Sequence, residues 1–121
     1  MIEVKNIIKS FEGRTVLNNI SAVFETGKTN LIIGRSGSGK TVMIKSIIGL
    51  IKPDSGQILY DNRDFTSMGK NELHVIRREM GMLFQGSALF DSMTVLENVL
   101  FPLDMFSKET KKEKIARAQF C

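Results

Sequence analysis

The chain has 121 residues, 42% of them hydrophobic and 7% aromatic, which suits one small globular domain. No apolar run approaches the ~18 residues that a membrane span needs, and the start, MIEVKNIIKSF, with an acid at position 3, does not read as a signal peptide. The net charge is +4, but residues 107–121 carry five basic and two acidic residues, so the body is nearly neutral. A solvated helix face accounts for that tail better than a nucleic-acid surface, and no nucleic-acid partner is expected. The one cysteine, Cys121, leaves no internal disulfide and fits a reducing cytosol.

In chain order, IEVKNIIKSF, VLNNISAVFE and TNLIIG read as three strands, joined by turns at EGRT and ETGK. The third, short and apolar with an Ile pair, has the look of a buried parallel strand. It runs into GRSGSGKT, residues 34–41, and then into KTVMIKSIIGL, which sets Val42, Met43, Ile44, Ile47 and Ile48 at helical spacings and offers Gly49 as a stop. Gly34, four residues, then Gly39-Lys40-Thr41 is the G-x-x-x-x-G-K-[ST] phosphate loop in the strand–loop–helix setting that it requires. Glycines let backbone N–H groups wrap phosphate oxygens, and the helix start adds positive potential. Lys40 is expected on the β- and γ-phosphates of a nucleoside triphosphate, and the Thr41 hydroxyl on Mg²⁺.

Beyond the helix, KPDSGQILYDNRDF reads as a turn, a short strand and a second turn. ILYD imitates the apolar strand and acid of a Walker B motif, but Asp61 opens a turn and is not assigned that role. KNELHVIRREMG reads as a helix with Leu73, Ile76 and Met80 on one face and His74 on its surface. MGMLF then reads as a strand delivering Gln85 to a loop. Thr94 to Glu97 and Thr110 to Glu113 are capping boxes opening two further helices, the second amphipathic.

A β layer ahead of the phosphate loop, the P-x-S-G-x-I stretch at 53–58, and Gln85 followed by TVLENV together resemble the ATP-binding subunits of ABC transporters over essentially the whole chain. The run Gly86-Ser87-Ala88-Leu89-Phe90-Asp91-Ser92-Met93 is similar to the ATPase subunits of Mla/Mce-type phospholipid transport systems. The resemblance implies an α/β fold: a P-loop ATPase core, incomplete, with an N-terminal antiparallel β subdomain. It divides the chain into a β subdomain start (1–30), a P-loop core (31–84), a Q-loop region (85–106) and the start of a helical subdomain (107–121).

The nucleotide-binding set it implies is Phe11, Val16, Gly34, Arg35, Ser36, Gly37, Ser38, Gly39, Lys40, Thr41 and Val42. Thr41 and Gln85 would hold Mg²⁺, and Lys40 and Gln85 would serve hydrolysis. Phe11 either stacks on adenine or packs as a strand-end core residue. Leu89, Phe90, Met93 and Leu96 either receive a short helix of a membrane permease or fill the core beneath the loop. The implied function is ATP binding and hydrolysis driving phospholipid transport, by a peripheral subunit on the cytoplasmic side of the inner membrane. A permease and a second ATPase subunit, head to tail, would be its partners.

Alternatives are another ABC importer or exporter, a soluble ABC protein, or a nucleotide-binding module without catalysis. No Walker B strand, signature loop or switch histidine follows. The chain therefore looks like the N-terminal part of a longer protein, one that alone would not turn ATP over. Ile47, Ile48, Ile115 and Phe120 are expected to be partly bare.

Overall fold

The computed structural model describes residues 1–86 and 88–121, which form two units, Met1–Gly81 and Met82–Cys121. The first begins with two long strands, β1 (Ile2–Phe11) and β2 (Arg14–Phe24), joined by a two-residue turn at Glu12-Gly13 with positive φ at both positions (49° and 79°). Such a turn matches the twist of the strands it joins. Helix α1 (Lys40–Ile47) follows, then β3 (Ser55–Tyr60), β4 (Arg63–Asp64) and helix α2 (Lys70–Arg78). The four strands make one sheet in the order β2-β1-β3-β4, antiparallel throughout. The β1–β2 register shifts between Val4 and Lys9, where Asn6 and Asn19 both take positive φ and Asn6 Nδ2 donates to Asn19 Oδ1 at 2.9 Å. Asparagine tolerates that conformation because its short amide bonds locally.

The core follows from which faces these elements present. Val4 and Ile7 of β1, Leu17 of β2, and Ile58 and Tyr60 of β3 are buried against Met43 and Ile47 of α1 and Ile76 of α2, with Phe65 alongside. Each large apolar side chain taken from water contributes about 1.5–3 kcal/mol before chain entropy is counted. The Tyr60 hydroxyl donates to the Ile47 carbonyl, and its ring lies 5.0 Å from that of Phe65. Burial pushes the Tyr60 phenol up to about 12. Helix α1 stops at Gly49, whose φ of 73° lets the Leu50 N–H turn back to the Lys45 carbonyl at 2.8 Å.

Three expectations are corrected. TNLIIG and MGMLF, read as strands, form none, and Leu31, Ile33 and Leu83 are 83%, 82% and 92% exposed. A strand exists only beside a hydrogen-bonded neighbour, and among the described residues no strand flanks either segment. Ile47, expected to be partly bare, is only 8% exposed because α1 lays it on the sheet. Elsewhere the turn at Asp61-Asn62 leads into β4, as a hairpin and not a Walker B strand would, and His74 is exposed on α2.

The second unit holds α3 (Val95–Phe106) and α4 (Lys111–Phe120). Their ion pairs are Lys114–Asp104 at 3.2 Å and Arg117–Glu109 at 2.8 Å. Ahead of α3, Asn98 fastens the incoming loop: its Oδ1 accepts from the Phe90 N–H at 2.8 Å, and its Nδ2 donates to the Met93 carbonyl at 3.1 Å. The Phe90 and Phe101 rings lie 4.8 Å apart. Among this unit's described residues only Ala118 is buried, and Phe120 is 92% exposed.

Candidate nucleotide-binding site

The loop from Gly34 to Gly39 leads into α1, and its shape comes from backbone that only glycine adopts easily. Gly37 and Gly39 have φ of 75° and 90°. At Gly39 a Cβ would also meet the Val16 carbonyl oxygen and a Leu17 methyl, each at 3.0 Å. The conformation and the close approach to β2 both call for glycine. Within the loop the Ser38 N–H donates to the Arg35 carbonyl at 3.2 Å.

Lys40, the first residue of α1, folds its ammonium back over the loop. Nζ donates to the Gly34 and Arg35 carbonyls, each at 2.7 Å. The cation is thereby held by two adjacent backbone carbonyls of the loop. Helix α1 starts on Gly39 with no side-chain cap and no acid in its first turn. Unpaired N–H groups, a helix start and a fixed ammonium make a concentrated positive potential. This arrangement fits a polyphosphate: the loop and helix-start N–H groups and the Lys40 ammonium are donors, and no carboxylate of the first turn opposes them.

The predicted residues distribute as follows. Gly34 to Thr41 form the loop and helix start, with Thr41 exposed in the first turn and Val42 partly buried behind it. Val16 stands on β2 against Gly39. Phe11 ends β1 and is 42% exposed, with the Lys9 ammonium 5.3 Å from its ring centre. Both Val16 and the loop border a cleft of about 260 Å³, lined by Arg14, Thr15, Val16, Gly37 and Ser38. Gln85 is exposed in the second unit, and Ser87 of the run at 86–93 lies outside the described residues. Arg14 and Thr15 went unnoticed in the sequence, where EGRT registers only as a turn. A two-residue turn sets Phe11 opposite Arg14, and that pairing was the available signal.

The family model described as ABC transporter matches residues 17–120. The chain belongs to the ABC transporter family. It is 39% identical over 112 residues to the probable ribonucleotide transport ATP-binding protein mkl of Mycobacterium leprae, covering 93% of this chain and 32% of that protein. It is 40% identical over 103 residues to the intermembrane phospholipid transport system ATP-binding protein MlaF of Haemophilus influenzae, covering 85% and 39%. The chain thus spans about a third of the length of these relatives. Among solved structures it is similar to the ATP-binding cassette MJ0796, a dimer in a post-hydrolysis state bound to ADP and Pi. The TM-score is 0.89 and the identity 34%, over 100% of this chain and 55% of that one. The fold is accordingly that of an ABC cassette, α/β with an N-terminal antiparallel sheet. Among the described residues no helix is long and apolar enough to cross a membrane.

Proposed function

We propose that this chain is the nucleotide-binding part of an ABC transporter ATPase that works on phospholipid. The observation that carries the nucleotide half is the Lys40 ammonium held between the Gly34 and Arg35 carbonyls at the open start of α1. In this role Lys40 and the loop N–H groups bind the β- and γ-phosphates of ATP. Phe11 and Val16 border the base, Thr41 would hold Mg²⁺, and Gln85 is a further candidate ligand by the family resemblance alone. The metal, when bound, supplies charge that offsets what develops on the transferred phosphoryl group. Gln85 suits a place beside water because its amide both donates and accepts while staying uncharged. Hydrolysis belongs to the whole protein, acting as a head-to-tail pair of ATPase subunits. A membrane permease would dock near Gln85, holding the subunit at the cytoplasmic face of the inner membrane.

The phospholipid half is supported by the similarity to MlaF and by the run at 86–93. The similarity to mkl, named for ribonucleotide transport, favours a second cargo. Lys40→Ala is expected to weaken Mg-ATP binding by about 2–4 kcal/mol, measured by titration calorimetry. Affinities within about threefold of each other would remove the phosphate-loop assignment. Purification of the whole protein with its permease, followed by extraction of what co-purifies, tests the cargo. Phospholipid supports the proposal, and bound ribonucleotide outside the ATP site favours the second reading.

A further inference from the structure

Arg14 opens β2 immediately after the Glu12-Gly13 turn and is exposed. Across the hairpin it stands opposite Phe11, and it lines the same cleft as Gly37 and Ser38 of the phosphate loop. Three other arginines of the chain have visible partners. Arg63 pairs with Glu79, Arg117 with Glu109, and Arg77 donates to the Gly49 carbonyl. Among the described residues no carboxylate pairs with Arg14. An unpaired guanidinium at the mouth of a loop built for anions is a second source of positive charge there. It also brings a planar fork of donors that matches phosphate oxygens two at a time.

We infer that Arg14 is a further binding residue for the phosphates of the nucleotide, reaching them from the β1–β2 hairpin across the cleft from Gly37 and Ser38. The inference rests on the nucleotide reading of the loop and adds a residue that the loop motif does not contain. Its consequence is that the β layer grips the anionic end of the ligand as well as bordering the base. Being exposed, the contact is open to screening, so its contribution falls as salt rises.

The test is competition binding of ATP and of inorganic triphosphate to the wild type, Arg14→Gln, Arg14→Lys and Lys40→Ala, with thermal melting of each. Arg14→Gln is expected to weaken both ligands about tenfold at low salt, with the loss shrinking in added salt. Arg14→Lys should recover part of it, and the melting temperature should stay put because the side chain is exposed. Loss for ATP alone overturns the inference, since the guanidinium would then serve the base or ribose. Unchanged affinity for both ligands overturns it as well. If Lys40→Ala also leaves both affinities unchanged, the phosphate-loop reading falls with it. If Lys40→Ala binds weakly while Arg14→Gln binds like wild type, Arg14 alone has been misassigned.

Discussion

The starts of α1 and of α3 and α4 meet the same difficulty in opposite ways. Every α-helix begins with four N–H groups that have no acceptor within the helix. At α3 the Thr94 hydroxyl accepts from the Glu97 N–H at 3.3 Å, and the Glu97 carboxylate accepts from the Thr94 N–H at 2.7 Å. At α4 Thr110 and Glu113 do the same at 3.4 and 2.8 Å. Helix α1 starts on a glycine, with no side chain to accept and no acid in its first turn. Helix α2 also starts on a glycine, Gly69, but there the Glu72 carboxylate accepts from the cap N–H at 2.9 Å, an acceptor that α1 lacks. Of the four described helices, α2, α3 and α4 each carry a first-turn glutamate that accepts from the cap N–H, and only α1 is left open, beside a fixed ammonium. The open one lies on the unit with the large buried core, which can carry a locally unfavourable start; α3 has no buried residue and relies on its cap.

The largest effect is expected where the open start is disturbed. Gly39→Ala forces an alanine to φ of 90° and drives its Cβ to 3.0 Å from the Val16 carbonyl oxygen. The conformational and steric costs together come to about 2–4 kcal/mol of stability. Urea unfolding measures it, and ATP binding should fall in parallel. A loss below about 1 kcal/mol would mean that the loop relaxes freely, and the contrast with the capped helices would lose its basis.

Closing boxes should matter less and should not touch the ligand. Thr110→Ala removes the acceptor for the Glu113 N–H and is expected to cost about 1 kcal/mol of helix stability. Circular dichroism across a thermal melt reads it, while ATP affinity stays as in the wild type. A matching loss of ATP affinity would show that α4 is coupled to the nucleotide, against the division drawn between the two kinds of helix start.

The loop and the two boxes were legible in the sequence because each is a short motif whose residue types are dictated by local backbone chemistry. Gly34, Gly39 and Lys40 can be read off at their spacing, and so can Thr94 with Glu97. TNLIIG and MGMLF misled because a strand is a property of a pair, and apolar composition does not supply the neighbour. The register shift at Asn6 and Asn19 was illegible for a related reason, since it depends on which residues meet across the hairpin. Its sequence trace, asparagines inside β-rich runs, is weak. The burial of Ile47 needed the sheet to be in place first. Arg14 belongs to the same class, because its importance arises from a turn that sets it beside the loop.

The smallest effect separates the two kinds of start by pH. The Glu97 carboxyl is held below the usual 4.5, first by the Thr94 backbone N–H and then by the Thr94 hydroxyl. Glu113 is held below the same value, first by the Thr110 hydroxyl and then by its backbone N–H. A folded-state value below the unfolded one means that the ionised form is the better partner. The resulting stability is fully present above 4.5 and is lost as pH falls through the lower folded values. Both carboxylates are exposed, so the effect is small and salt-sensitive. No first-turn acid exists in α1, so its start makes no such contribution. The doubly substituted Glu97→Gln, Glu113→Gln chain keeps an amide acceptor in each box without the charge. Its unfolding midpoint should lie below that of the wild type near neutral pH, and the gap should close as pH falls below about 4.5. Parallel midpoints across that range would mean that the two boxes act through geometry alone.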